Sequence, residues 1–194
     1  MKDLQGKRVL VTGGSRGIGA AIALTLARNG ADVAISYERA ADRAQDIVDQ
    51  IDREGQHGIA VQANSADPDA NERLVEHAVR DLGGLDILVN NAGTIRHGDL
   101  VDLSPDDIST VLHVNVRGTV LTTRGATWAV WHDRRGAGPR GLPGKPGLLI
   151  RDRLSHHHRR RDECLTGPLR RPVSLREPRD CTPVMLTVAL CAVT

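Results

Sequence analysis

Residues 7–19 read KRVLVTGGSRGIG, an apolar run that ends in a glycine-rich turn. Lys7 to Thr12 has the Val and Leu content of a buried parallel strand. Residues 17–29 then place Ile18, Ile22 and Leu26 at i, i+4 and i+8, one face of a helix that Asn29-Gly30 stops. The order is strand, tight turn, helix.

That order recurs along the chain. DVAIS (32–36) predicts a second strand, followed by a helix near 40–54 whose Ala44, Ile47, Val48 and Ile51 share a face. GIAVQA (58–63) predicts a third strand, ahead of a helix near 68–82 carrying Leu74, Val75, Ala78, Val79 and Leu82, and DILVN (86–90) a fourth. Strands separated by single helices must run parallel, because each helix carries the chain back over the sheet, and such crossovers are right-handed. The expected fold class is therefore α/β, a doubly wound parallel sheet of Rossmann type. Ser104 reads as an N-cap with Pro105 at the first helical position and Asp106 and Asp107 in the first turn, so a further helix starts there and leads towards 113–123.

The glycines of the first turn permit close backbone approach, and the helix after it offers free N–H groups and a positive dipole end to a pyrophosphate. At the first crossover of a βαβ pattern that makes a dinucleotide site. TGGSRGIG (12–19) after the first strand, NNAG (90–93) at the end of the fourth and Asn115-Val116-Arg117-Gly118 further on resemble the classical short-chain dehydrogenase/reductase family, in the flavour of the 3-oxoacyl-carrier-protein reductases, over about residues 5–124. The resemblance implies a nicotinamide cofactor and hydride transfer between it and a small carbonyl or alcohol. It implies that Gly13, Ser15, Arg16, Gly17, Ile18 and Gly19 wrap the cofactor phosphates and adenosine ribose, and that Asn91, Ala92 and Gly93 line the nicotinamide side and brace the sheet centre. Asn64 and Ser65 follow the third strand, where the family usually has an aspartate against adenine; an amide oxygen can accept the same hydrogen bond. Tyr37 ends the second strand, where a carboxylate would select NAD. With none there, and with Arg16 and Arg39 able to bond a 2′-phosphate, NADP is the expected cofactor; Glu38 leaves NAD open.

Asn115 matches the family's catalytic asparagine. A carbonyl that accepts hydride must also receive a proton, which the family draws from a tyrosine made acidic by a lysine four residues on. Here the single tyrosine is Tyr37, the lysines are Lys2, Lys7 and Lys145, and no Tyr-x-x-x-Lys occurs. Ser155 lacks such partners.

The chain changes character near Arg124. Residues 1–124 carry a net charge of −5 and residues 125–194 a net of +7, and the later part holds seven of the nine prolines, Cys164, Cys181, Cys191, Trp128 and Trp131. The expected organisation is a dinucleotide-binding region, 1–124, and a basic, Pro/Gly/Arg-rich tail, 125–194, poorly ordered. Within the tail only Val184 to Val193 is apolar, able to pack as a strand or short helix. Without later strands the fourth strand would be an unpaired edge. A frameshifted or truncated reductase gene explains the abrupt change. Codons for residues 165–171, read two bases forward, can spell Tyr-x-Ala-Ser-Lys-Ala, like the missing motif.

Other classes fit less well. No apolar run approaches the roughly 20 residues of a membrane span. The start has no leader-like apolar stretch, and unpaired cysteines suit reducing conditions, so the cytoplasm is expected. His156-His157-His158 lacks the spacing of a metal site, and the arginine-rich segments lack the interleaved aromatics of a nucleic-acid surface, so neither partner is expected. Family members are usually homo-oligomers, but this sequence offers no support for that. The expected function is an impaired NADP(H)-dependent reductase; the alternative is a non-catalytic dinucleotide-binding or interaction protein with a basic tail.

Overall fold

The computed structural model describes residues 3–133 and 184–186. The elements in order are β1 (Arg8–Val11), α1 (Gly17–Arg28), β2 (Asp32–Tyr37), α2 (Ala41–Arg53), β3 (Gly58–Gln62), α3 (Pro68–Leu82), β4 (Ile87–Val89), a 3₁₀ turn (Leu100–Asp102), α4 (Pro105–Leu112), a π turn (His113–Gly118), α5 (Thr119–Asp133) and β5 (Val184–Leu186). The strands lie in the order β3-β2-β1-β4-β5, and every pairing is parallel. This is the doubly wound Rossmann-like sheet that the alternation of strand and helix requires.

The pleat divides the core between the two faces of the sheet. Val9, Val11, Val33, Ile35 and Val89 pack on one side with Ala20, Ala23 and Ala27 of α1 and Ala44, Ile47 and Ile51 of α2. Leu10, Ala34 and Leu88 pack on the other with Ala70, Leu74, Val75 and Ala78 of α3 and Ala126 and Ala129 of α5. The buried face of α1 differs from the one its large residues suggest. Ile18 is 42 % exposed, and Ile22 and Leu26 reach the core only at its margin. Alanines take the inner face because α1 lies too close to β1 and β2 to admit larger side chains. The helix ends in a Schellman motif, with Gly30 N–H donating to Ala27 O (2.8 Å), Ala31 N–H donating to Leu26 O (3.2 Å), and Gly30 at φ +98°.

Two differences concern the later chain. β4 is not an edge, because Ile87, Leu88 and Val89 pair in parallel with Val184, Met185 and Leu186. Of the two conformations open to that apolar stretch, residues 184–186 take the strand, which satisfies backbone groups that β4 would otherwise leave unpaired. The composition break at Arg124 falls inside an element, since α5 continues to Asp133. Gly125 and Ala126 face α3, with Gly125 against Val75 (3.3 Å from its would-be Cβ), so small residues rather than charge govern this stretch. The order expected of 134–183, Ser155, the histidine run and the cysteines all lie outside the described residues.

Candidate functional site

The C-terminal ends of β1 and β4 meet at the glycine turn. Thr12, 4 % exposed, sits where β1 stops, and its Oγ1 accepts hydrogen bonds from the N–H groups of Asn91 and Ala92, both at 3.0 Å. Asn91 returns the contact by donating its side-chain amide to Thr12 O (2.9 Å) and Gly13 O (3.1 Å). On the β2 side, Gly13 N–H donates to Ser36 Oγ (3.0 Å) and Gly14 N–H to Ser36 O (2.9 Å). The turn is thus held from both neighbouring strands.

These contacts leave no room for side chains. A Cβ on Gly13 would meet Ala92 Cα at 3.0 Å, and one on Gly14 would meet Ile35 Cγ2 at 2.6 Å. A Cβ on Gly19 would run into Gly13 O and Asn91 Nδ2, so α1 can start against the turn only with glycine there. Gly13 and Gly17 have φ of +66° and +55°, the region that favours glycine.

At the mouth of the turn, α1 begins after Arg16 with no side-chain cap and no acidic residue in its first turn. α3 and α4 are capped, by Asp67 and by a reciprocal Ser104–Asp107 box. Asp107 is held below the usual carboxylate range, chiefly by its bond from the Ser104 hydroxyl. The uncapped N–H groups of α1 and the close-packed glycine turn fit a pyrophosphate in chemistry and in shape.

The remaining sequence-derived residues are placed unevenly. Arg16 is exposed and Ser15 half-buried beside the turn. Tyr37 ends β2 as expected, but its ring packs against the core cluster of α1 and α2. Arg39, 89 % exposed, pairs with Glu38 at 3.3 Å, a surface contact that a ligand can displace at little cost. Asn64 Oδ1 accepts from Ala66 N–H (2.9 Å), which spends one acceptor position on its own turn and leaves the second. Ser65 and Asn64 stand together on this loop, while Ala92 and Gly93 follow β4.

Asn115 lies within the π turn, a local widening of the helix often found at functional positions. Its side chain donates to Thr94 O (2.8 Å) and accepts from Thr94 N–H (2.8 Å), fixing the loop after β4. Thr119 Oγ1 donates to the Asn115 carbonyl at 3.0 Å. The bracing residues Thr12, Ser36 and Thr94 were not singled out from sequence. Thr12 stands directly before the glycines, but its role depends on a loop some 80 positions away, where no spacing rule reaches. Among the described residues no cluster of His, Cys, Asp and Glu could hold a metal ion, and no helix is long and apolar enough to cross a membrane.

A parallel sheet wound on both faces, with a glycine turn opening onto an uncapped helix at its centre, defines a Rossmann-type α/β protein. Comparison with known proteins narrows the class. A family model described as short chain dehydrogenase matches residues 7–137, past the composition break. The chain belongs to the short-chain dehydrogenase family. It is 43 % identical over 123 residues to versicolorin reductase stcU of Emericella nidulans, covering 63 % of this chain and 47 % of that one. It is 38 % identical over 131 residues to the 3-oxoacyl-[acyl-carrier-protein] reductase FabG of Staphylococcus aureus, covering 68 % and 53 %. A short chain dehydrogenase from Burkholderia cenocepacia, solved in complex with NADP, superposes with a TM-score of 0.65 at 56 % identity, over 66 % of this chain and 52 % of the other. The chain thus spans about half the length of the relatives it matches.

Proposed function

We propose that this chain binds NADP(H) and descends from a reductase that moves hydride between NADP(H) and a carbonyl or alcohol, with that activity impaired. The observation that carries the binding reading is the glycine turn, fixed by Thr12, Asn91 and Ser36 against an uncapped helix. The B. cenocepacia relative, similar over this same region, was solved with NADP. In this reading Gly13, Ser15, Gly17, Ile18 and Gly19 hold the phosphates, Arg16 and Arg39 the 2′-phosphate, Asn64 and Ser65 the adenine end, and Asn91, Ala92 and Gly93 the nicotinamide side. When bound, the nicotinamide supplies or takes the hydride.

What the chain's own residues can do for the proton is limited. Asn115 holds the loop after β4 through Thr94, but the single tyrosine, Tyr37, is half-buried against the core of the β2 side and followed by no lysine at the family spacing. Removing a general acid typically forfeits a factor of about 10² to 10⁴. A frameshift upstream of residues 165–171 accounts for the missing motif; resequencing that finds no family-like alternative frame refutes that origin. The second reading, a non-catalytic dinucleotide-binding or interaction protein, rests on the same missing motif and on the +7 charge of residues 125–194. A reducing, cytoplasmic setting suits either.

Titration of NADPH and NADH followed by their fluorescence, together with turnover assays on carbonyl substrates, tests these readings. Saturable NADPH binding, weakened about tenfold by Arg16→Ala while NADH is unchanged, supports the NADP site. Turnover at family-like rates refutes impairment, and binding with no turnover at all favours the second reading. Failure to bind either nucleotide refutes the NADP(H) reading and the dinucleotide-binding form of the second, and points to a nonfunctional remnant.

A further inference from the structure

Asn71 is a polar residue on the buried face of α3, in line with Leu74, Val75 and Ala78, and only 1 % exposed. An aliphatic side chain would suit the core better unless the amide is fully bonded and those bonds matter. It is fully bonded. Its Nδ2 donates to Ser65 O (3.0 Å) and Asp67 O (2.7 Å), and its Oδ1 accepts from Thr122 Oγ1 (3.2 Å) on α5. The Thr122 hydroxyl also reaches Gly118 O, at 2.8 Å, in the last residue of the π turn.

Two further contacts join the same pieces of chain. Gly118 packs so closely on the Ser65 carbonyl that a Cβ there would overlap it, and Arg117 Nη2 donates to Ala66 O at 2.6 Å. The loop after β3 (64–67) is therefore fastened to the π turn (113–118) by Asn71 from within and by Gly118 and Arg117 from outside. One of these segments carries Asn64 and Ser65, the other Asn115.

We propose that Asn71 is a positioning residue that fixes the 64–67 loop against the π turn and so shapes the adenine end of the nucleotide site. This rests on the NADP(H) reading above. Asn71 touches no ligand itself; it acts through the Ser65 and Asp67 carbonyls, whose direction sets that of the loop. The amide fits here because Thr122 on α5 supplies the donor to its Oδ1, and Gly118 at the end of the π turn leaves room for the Ser65 carbonyl that its Nδ2 bonds.

The test is calorimetric titration of the full chain with NADPH, adenosine 2′,5′-bisphosphate and reduced nicotinamide mononucleotide. Asn71→Leu keeps the branching of the side chain but removes every bond of the amide. Gly118→Ala displaces the Ser65 carbonyl without touching Asn71. Each variant is expected to weaken NADPH and the bisphosphate about tenfold while changing the mononucleotide less than twofold. The double variant should lose less than the product of the two, since both act through one carbonyl. A role confined to stability would shift the urea midpoint and leave the ratio of the two half-ligands unchanged. Equal loss of both halves, or no loss of either, overturns the proposal while leaving the function reading intact. A wild-type chain that binds neither NADPH nor the bisphosphate refutes the function reading and this inference with it.

Discussion

Replacing Thr12 by valine isolates the contribution of one hydroxyl at the centre of the site. Valine has the shape of threonine and keeps its β-branching, so no cavity opens; what disappears is an oxygen that accepts from two backbone N–H groups, of Asn91 and Ala92, each at 3.0 Å. Thr12 itself is 4 % exposed, and both N–H groups lie in a partly buried turn, with little water to replace the lost acceptor. An unsatisfied donor costs about 1–3 kcal/mol, and the partial burial puts each near the lower half of that range, so Thr12→Val should cost about 2–4 kcal/mol. Thr12→Ser keeps the oxygen and loses one methyl, at about 1 kcal/mol. With a urea slope of about 2 kcal/mol/M, the valine variant should lower the unfolding midpoint by about 1–2 M and the serine variant by about 0.5 M. NADPH affinity should fall in the same order, since the braced turn forms the phosphate site. If the valine variant unfolds at or above the midpoint of the serine variant, the hydroxyl is not what holds β1 and β4 together, and the account of the turn fails.

Asp86 receives both a side-chain and a backbone bond from Arg8, at 2.8 and 3.0 Å, with 28 % of its side chain exposed. Burial alone would raise its pKa, but the Arg8 side-chain bond, backbone bond and charge outweigh that and hold it below the ordinary value. Its contribution to stability is therefore present above the unfolded pKa of about 4 and is lost as the pH falls through the lower folded value. Urea midpoints measured from pH 5 downward should fall in wild type and fall less steeply in Asp86→Asn; parallel acid limbs would contradict this. Gly19→Ala forces a Cβ into the Gly13 carbonyl and Asn91 amide, whereas Gly17→Ala meets nothing within 4 Å and bears only the cost of φ +55°. The first should destabilise by about 1–3 kcal/mol from overpacking, and calorimetric titration should show it weakening NADPH binding more than the second does. Ser104→Ala removes the capping box of α4, a helix with no buried residue, and should cost about 1 kcal/mol. Hydrogen exchange should show that loss as faster amides in residues 106–109 than in α3.

The fold was legible to the extent that local pattern reports burial. α3 falls on the expected residues 68–82 because Asp67-Pro68 marks its start, Gly83 its end, and its large apolar residues face the sheet. α1 falls at the expected place, with Ile22 and Leu26 packed at the margin of the core, but its most buried positions are Ala20, Ala23 and Ala27, which a periodicity that weighs large side chains does not single out. β5 was only half legible. Three apolar residues do not choose between strand and helix by themselves; the choice is made by the open edge of β4, which lies almost a hundred positions earlier. α5 crosses the composition break because helix packing against α3 depends on Gly125 and Ala126, and net charge says nothing about small residues at a seam.

The site divides along the same line. Its glycines were readable because each lies in a contiguous motif, and their necessity follows from contacts that a Cβ would destroy. The bracing groups of Thr12, Ser36, Asn71 and Thr94 were not, because Thr12, Ser36 and Thr94 join loops at strand ends that only the folded sheet brings together, and Asn71 meets Thr122 only once α5 packs on α3. The two kinds of residue carry different consequences. The glycines, with Asn91, Thr12 and Ser36, form a close-packed turn whose own hydrogen bonds use no residue after Ala92, whereas Asn115 reaches the loop beside it only through Thr94. In the proposed function, nucleotide binding and proton delivery are thus separable. A change of sequence beyond Arg124 can remove the second while the hydrogen bonds that fix the glycine turn, all made by residues up to Ala92, stay in place.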